Sequence, residues 1–401
     1  MRNLLMSLMA AWARIGRDAR QRVALLAGLA LVAVVAALLF AVLGRFPQDG
    51  RGGLPGDRAT ATTRPTPTAT VDPWTTQALS VQGSRIVNTR GQPVTLLGAA
   101  RFSLEYACRG DGHFKLSDFQ AMRAWGMNTV RLPLSSAFWR NLGGACPTYR
   151  GSVTAAVANA EQAGLYVILD LQRDAPFSTA GDAKHGGAQC PLPDARYDLA
   201  FWKDVAATYR NDPRVLFDIF GEPNTVDWSQ WRNGGAIATG CHLYPTAQTY
   251  TAIGMPALAA AVRSIAPRNL IILSGVAWGY DLSGVAGATQ TPNVLYATHP
   301  WDHASFQQPS DWDRAFGLTA RTLPVIATEF GQYDCQTDYL ATAVGYFEQR
   351  HISFLAWAWT TGRCSTPALL ANWSGEPTAP YGAFIRDQIL QAARSNPPGG
   401  L

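Results

Sequence analysis

Two apolar runs in this chain end abruptly in a glutamate. The first is Leu216-Phe217-Asp218-Ile219-Phe220-Gly221-Glu222-Pro223-Asn224 and the second is Leu323-Pro324-Val325-Ile326-Ala327-Thr328-Glu329-Phe330-Gly331. Each reads as a buried strand that delivers a carboxylate to its C-terminal tip. Desolvating a lone ionised carboxylate is costly, so each glutamate needs a partner or a reaction that uses it. The whole chain holds six glutamates, and two of them stand in this position. Two carboxyls facing one substrate can do acid/base or nucleophilic work. No His-Glu-x-x-His, Gly-x-Ser-x-Gly or phosphate-loop pattern occurs, so those chemistries lack support.

The elements that must position the pair follow a regular alternation. Leu79–Asn88 and Gln92–Leu97 read as short strands joined by turns at Gly83 and Gly91, an N-terminal β-hairpin. A first barrel-type strand ends near Gly98, and the helix Leu116–Trp125 is closed by Gly126. The strand Thr129–Pro133, the helix Val153–Ala163, the strand Leu165–Leu171 and the helix Tyr197–Tyr209 lead to the Glu222 strand. After it come the helix Thr246–Ile265, the strands Leu270–Leu273 and Val294–Thr298, and a helix near Asp311–Leu318. The Glu329 strand, the helix Asp338–Arg350, an eighth strand Phe354–Trp359 and the helix Ala383–Ala393 complete the series. Eight strands apolar on both faces and separated by helices imply a parallel sheet, and the span from residue 79 suits a (β/α)8 TIM barrel. The rival is a doubly wound open sheet, but no Gly-x-Gly-x-x-Gly turn follows an early strand.

Ahead of this domain the composition changes twice. Residues 1–22 carry five arginines against one aspartate, so most of the formal charge of +5 sits in this tail and the remainder is close to neutral. A nucleic-acid surface would need its basic residues on the folded domain, and is therefore not expected. Val23–Leu43 is an uncharged apolar run of the length that crosses a bilayer as a helix. With arginines on its N-terminal flank, it reads as a transmembrane signal anchor with the tail in the cytoplasm. A cleaved secretory signal is the alternative, but its apolar region is shorter and wants a small-x-small cleavage site. Residues 44–78 are rich in Pro, Thr and Gly and read as an extended linker. The expected product is a single-pass protein of the cell membrane with residues 79–401 outside, or, in the alternative, a secreted one.

All six cysteines lie beyond the linker, and an even number in an exported domain favours disulfides over free thiols. Each follows a strand: Cys108, Cys146, Cys190 and Cys241 after the first four, Cys335 and Cys364 after the last two. Sequential pairing, 108–146, 190–241 and 335–364, staples neighbouring loops on the face where barrel enzymes keep their sites. With no C-x-x-C pair, a structural zinc is not expected.

In order, the strand ends resemble glycoside hydrolase family 5, the cellulase-type retaining glycosidases. Met127-Asn-Thr-Val-Arg-Leu-Pro133 is similar to the strand bearing that family's active-site arginine, here Arg131. Tyr166-Val-Ile-Leu-Asp-Leu171 resembles the next strand, Glu222-Pro223 the acid/base strand, and Thr298-His-Pro300 the strand with a substrate-side histidine, His299. Thr328-Glu-Phe-Gly331 resembles the nucleophile strand, and the Trp357/Trp359 strand the one supplying a sugar-stacking tryptophan. Trp373-Ser-Gly-Glu-Pro-Thr-Ala-Pro-Tyr-Gly382 resembles the approach to the last helix. The resemblance covers roughly residues 79–395. It implies a retaining hydrolase of β-linked glucan or mannan without cofactor or metal, with Glu222 as acid/base and Glu329 as nucleophile. It also implies that Arg131 holds Glu329 ionised and that the charge on Glu329 keeps a proton on Glu222.

Three positions depart from that pattern. Gly221 stands where the family has an asparagine that bonds the sugar 2-hydroxyl, Gln172 where it has a histidine, and Trp301 where it usually has a tyrosine. These motivate a second reading, a carbohydrate-binding barrel with little or no activity, while the two glutamates argue for the enzyme. Gln172, Gly221, His299, Trp301, Trp357 and Trp359 are therefore the expected substrate-binding residues, with Arg131. Trp139, Trp228, Trp231, Trp278 and Trp312 fall near loops after strands and are either sugar platforms or packing. Glu105 and Tyr106 either face the site or pair with Arg101, whereas Asp170 and Asp218 read as interior partners within strands. Glu376-Pro377 repeats the Glu-Pro signature in a Pro-rich loop and is discounted.

Overall fold

The structure is a computed structural model that describes residues 78–175, 186–238, 241, 249–302 and 308–395. The basic tail, the apolar run expected to anchor the chain and nearly all of the linker lie outside the described residues. Among the described residues no helix is long and apolar enough to cross a membrane.

The chain enters through an antiparallel hairpin, β1 (Leu79–Gln82) and β2 (Arg85–Asn88), turned at Gly83 with φ near +61°. Eight parallel strands then close a barrel: β3 (Leu97–Ala100), β4 (Thr129–Ser135), β5 (Tyr166–Arg173) and β6 (Val215–Asp218) are followed, after an excursion, by β9 (Ile271–Ser274), β10 (Val294–Thr298), β11 (Val325–Ala327) and β12 (Ser353–Ala356). The seam is the β12–β3 pair, with Phe354 opposite Leu97. Helices Leu116–Ala124, Tyr149–Gln162, Tyr197–Tyr209, Met255–Ile265, Asp338–Arg350 and Tyr381–Ser395 bury one face each against the outside of the strands.

The strand period of two organises the interior in layers. On β5, Ile168, Asp170 and Gln172 share the inward face, and Leu216 and Asp218 do so on β6. The lower layer is apolar, with Ile168, Leu216, Ile272, Leu295, Ile326 and Leu355 packed together, and Leu79 and Ile86 of the hairpin close its N-terminal mouth. The next layer up is polar, and the one above that carries the site. Each barrel strand thus runs from a sealed apolar end to a reactive C-terminal end, the usual polarity of this architecture.

The three disulfides are Cys108–Cys146, Cys190–Cys241 and Cys335–Cys364, as sequential stapling of the upper loops predicts. Each closes a loop of a few tens of residues, for which the chain-entropy account gives about 3–4 kcal/mol apiece.

Several boundaries differ from expectation. The helix expected over Thr246–Ile265 begins at Met255, because Gly254 caps it and Pro256 sits in its first turn. Ahead of it, β8 (Tyr250–Ile253) pairs antiparallel with β7 (Gly234–Ile237) outside the barrel. The expected strand Gln92–Leu97 is reduced to one bridge, Val87 to Pro93, since proline supplies no N–H to a ladder. The first barrel strand continues to Ala100, and the eighth ends at Ala356, before either tryptophan. Between β10 and β11 the expected helix is a short α turn, a π turn and a 3-10 turn over Pro309–Arg321.

Candidate active site

Arg131 is the hub beneath the site. Its side chain, on β4, is fully buried and points up the barrel interior. Nη1 donates to Glu329 Oε1 at 2.6 Å, Nη2 to Gln172 Oε1 at 3.1 Å, and Nε to Asp218 Oδ2 at 3.3 Å. Asp170 Oδ2 also lies 3.0 Å from Nη2, yet neither Asp170 oxygen accepts an aligned hydrogen bond. One guanidinium therefore faces three buried carboxyls. Burial pushes Asp170 well above the ordinary carboxylate range despite the attraction of Arg131. Burial pushes Asp218 and Glu329 upward as well, so one cation stands among three desolvated carboxyls.

Glu329 follows β11 by two residues and is almost wholly buried. Arg131 was expected to hold it ionised. Burial pushes its pKa up, Arg131 (and His299 when charged) pulls it down, and the net shift is upward.

Glu222 stands four residues beyond β6 with its carboxyl fully engaged. Oε2 accepts from Gln189 Nε2 at 2.6 Å and from Gln172 Nε2 at 2.8 Å, and Oε1 lies 3.2 Å from His299 Nδ1. The other nitrogen of His299 meets Thr328 Oγ1 at 2.8 Å. Burial lowers the pKa of His299 to about 4, so the ring is neutral at neutral pH. One oxygen of Glu222 and one of Glu329 lie within 4.8 Å of each other. The same spacing, with His299, would allow a cation to be held by geometry, but Arg131 already occupies Glu329 Oε1 and both imidazole nitrogens are engaged.

Above the pair opens a cavity of about 450 Å³. Gln172, Gln189, Glu222, His299 and Glu329 form its floor, and Trp278, Tyr280, Trp301, Tyr333 and Trp357 its walls. Trp301 stacks on Tyr333 with ring centres 5.0 Å apart, and Trp357 lies parallel to Phe102 at 5.2 Å. Trp278 is 39% exposed at the rim, and its backbone N–H donates to Pro223 O, tying it to the Glu222 turn. The walls are flat apolar faces around a charged floor, a shape that suits sugar rings.

Among the expected substrate-binding residues, Gln172, His299, Trp301 and Trp357 line this cavity with the two glutamates. Arg131 lies below and reaches the cavity only through Glu329 and Gln172. Gly221 faces inward too: a Cβ there would lie 2.6 Å from Arg131 Nη2 and 2.7 Å from both Asp170 Oδ1 and Gln172 Oε1. It lies outside the cavity lining, and what it contributes there is space for those groups. Trp359 is a correction, being 1% exposed and packed edge-on against Trp125 in the core. Trp139, Trp231 and Trp312 are likewise core residues, and Trp228 packs on Trp231, so Trp278 alone of that group lines the cavity. Arg101 pairs with Asp111, and the buried Glu105 accepts from Ser103 N at 2.7 Å. Tyr106 is exposed outside the cavity lining.

Gln189, Tyr280 and Tyr333 were missed; Tyr280 follows the rim residue Trp278 by two, while Gln189 and Tyr333 lie in the stapled loops. Neither Gln189 nor Tyr333 stands at a strand tip, and each is next or nearly next to a disulfide cysteine, at 190 and 335 respectively. That adjacency in stapled upper loops is the signal that could have marked these two.

Comparison with known proteins gives a consistent family. The cellulase family, glycosyl hydrolase family 5, matches residues 87–363. Endoglucanase N of Pectobacterium atrosepticum is 26% identical over 333 residues, covering 79% of this chain and 66% of its own. The chain spans between 58% and 66% of the length of the first three curated relatives it matches. Among solved structures, a β-glucanase from Saccharophagus degradans in complex with cellotetraose superposes with a TM-score of 0.60 at 23% identity, over 82% of this chain and 98% of that one. A β-mannanase of Thermomonospora fusca in a mannohexaose complex gives 0.54 at 18% identity, over 78% and 94%. At these identities the structural likeness speaks for the barrel itself.

Proposed function

Because this chain belongs to glycosyl hydrolase family 5, we propose that its barrel is a retaining β-glycosidase that cleaves β-linked polysaccharide or oligosaccharide by double displacement. The separation of the two glutamates carries this reading. Oxygens within 4.8 Å leave no room for the water that an inverting enzyme places between carboxyls about 6.5–9.5 Å apart.

In the first step Glu222 transfers its proton to the glycosidic oxygen while Glu329 attacks the anomeric carbon. The bond from that carbon to the leaving oxygen breaks, and a glycosyl ester to Glu329 forms. Oε1 of Glu329 is held by Arg131, so the free oxygen, Oε2, is the attacking one. In the second step the ionised Glu222 takes a proton from water, whose oxygen attacks the anomeric carbon from the face the leaving group vacated and displaces Glu329, so that two inversions retain the configuration. His299 is kept neutral by burial, so the cation at the Glu329 carboxylate is Arg131.

β-Glucan is the first substrate we propose, supported by relatives named endoglucanases. Mannan is the second, supported by a relative named β-mannanase/endoglucanase. A binder without activity is the weaker reading, because a binding site has no use for two adjacent carboxyls, one of them almost wholly buried. We further propose that the barrel works outside the cell, tethered through residues 23–43. Three disulfides support an oxidising compartment.

The test is a 2-fluoro cellobioside with an activated leaving group, read by intact mass and peptide mapping. A stable adduct on Glu329, together with turnover of β-glucan, supports the proposal. No adduct and no turnover on glucan or mannan would sink it.

A further inference from the structure

Resting on the glycosidase reading above, we infer that Gln189 is a positioning residue for the general acid: with Gln172 it holds one oxygen of the Glu222 carboxyl and leaves the other to carry the proton. Both amide nitrogens converge on Oε2, Gln189 at 2.6 Å and Gln172 at 2.8 Å, whereas Oε1 faces the cavity beside His299 Nδ1.

The orientation of the first amide is set from below. A guanidinium offers only donors, so the Gln172 oxygen must face Arg131 Nη2, and its NH₂ is thereby turned to Glu222. Arg131 fits there because Gly221 adds no side chain at that point.

Gln189 is fixed by its neighbours along the chain. Ala188 exchanges both backbone hydrogen bonds with Asp174 at the upper end of β5, each 2.9 Å. Cys190 N donates to Asp174 Oδ1 at 3.2 Å, and its sulfur is bonded to Cys241. Asn224, two residues past the general acid, donates from its side chain to Cys190 O at 3.2 Å and from its backbone to Pro191 O at 3.1 Å. The loop bearing Gln189 is thus bolted to the turn bearing Glu222.

The chemistry follows from two donors on one oxygen. In the protonated carboxyl, Oε2 is the carbonyl-type oxygen and the hydrogen resides on Oε1, pointing into the cavity. As the O–H bond of Oε1 breaks and one forms to the glycosidic oxygen, the electron pair stays on the carboxylate. Its charge spreads onto Oε2, where two N–H groups already stand, so no reorganisation is needed. On the return step Oε1 takes its proton back from water.

A series of aryl β-cellobiosides with leaving groups from phenol to 2,4-dinitrophenol, assayed with wild type, Gln189→Met and Gln189→Glu, tests this. A poor leaving group needs the acid and a good one does not. We expect Gln189→Met to lose about ten-fold in kcat/KM on the phenyl glycoside and to stay within about two-fold of wild type on the dinitrophenyl one. The basic limb of its pH profile should move to higher pH, because the ionised acid has lost a donor. Gln189→Glu should show the same leaving-group dependence or a steeper one. Equal losses across the series in both variants, or no loss in either, would overturn the inference while wild type remains active. A wild type inactive on every glycoside would instead overturn the glycosidase reading and this inference with it.

Discussion

Gly221 and Arg131 share one space: a Cβ at residue 221 would lie 2.6 Å from Nη2 of the guanidinium. Asparagine at this position would have to displace Arg131 and Gln172 together, since both fill the same corner. Restoring the family-like residue is therefore expected to damage the enzyme. Gly221→Asn should lower kcat/KM, and Gly221→Ala should destabilise the fold by about 1–3 kcal/mol through overpacking. Urea denaturation and steady-state kinetics on a cellobioside check both. An Asn variant faster than wild type would show that the corner yields.

The two glutamates have different duties, and azide tells them apart. Glu222→Ala and Glu329→Ala should each lose at least about 10²-fold in turnover. Azide is small enough to enter the space left by either side chain. In Glu222→Ala it attacks the glycosyl ester on Glu329, giving a β-azide with retained configuration. In Glu329→Ala it takes the place of the nucleophile and gives the α-azide. Proton NMR of the anomeric signal reads the outcome, and the reverse assignment of configurations would exchange the roles.

What was legible in the sequence follows from which contacts are local to a strand. Barrel strands are buried on both faces, so they print as short apolar runs, and their upper ends print as the glutamates and histidine that terminate them. The disulfide pairs were legible for the same reason, as loop order on one barrel face. The antiparallel pair Gly234–Ile237 and Tyr250–Ile253 was not, because four-residue strands rich in Gly and Ala carry no clear period. Gln189 reaches Glu222 only through the path of a stapled loop, which no spacing encodes. Gly221 is visible as a departure, but its consequence lies in side chains arriving from β4 and β5. The Glu329 shift shows the same limit: the cation was evident, while the burial that outweighs it was not.

Trp357 and Trp359 illustrate how a pattern fails once its element ends. Two residues apart in a strand, they would share a face, but β12 stops at Ala356. Trp357 turns to the cavity and Trp359 into the core against Trp125. Trp357→Ala should raise KM for a cello-oligosaccharide by about ten-fold, about 1.4 kcal/mol of lost stacking, with little change in unfolding midpoint. Trp359→Ala should leave KM near wild type and destabilise by about 3–5 kcal/mol. Isothermal titration with the Glu222→Ala background and thermal denaturation separate the two effects. A KM change at Trp359 with unchanged stability would contradict its placement.

Glu105 links stability to pH away from the reaction itself. Burial pushes its carboxyl from an ordinary 4.5 up to about 7, against the backbone N–H groups of Glu105 and Ser103 and the charges of Arg173 and Arg101. Between those two values the folded chain holds a proton that the unfolded chain has released. Stability from this group is therefore present below pH 4.5 and is lost as pH rises through 7, by about 3 kcal/mol in full. His299 acts in the opposite sense: its folded value of about 4 means that stability is lost as pH falls from 6.5. Because His299 is present in both proteins, comparing wild type with Glu105→Gln cancels it. The amide oxygen can still accept from Ser103 N, so the variant keeps the contact without the charge. Urea unfolding at pH 5 and pH 8 should find Glu105→Gln gaining on wild type at the higher pH. A difference that stays constant between the two pH values would mean that Glu105 ionises in the folded chain as it does in water.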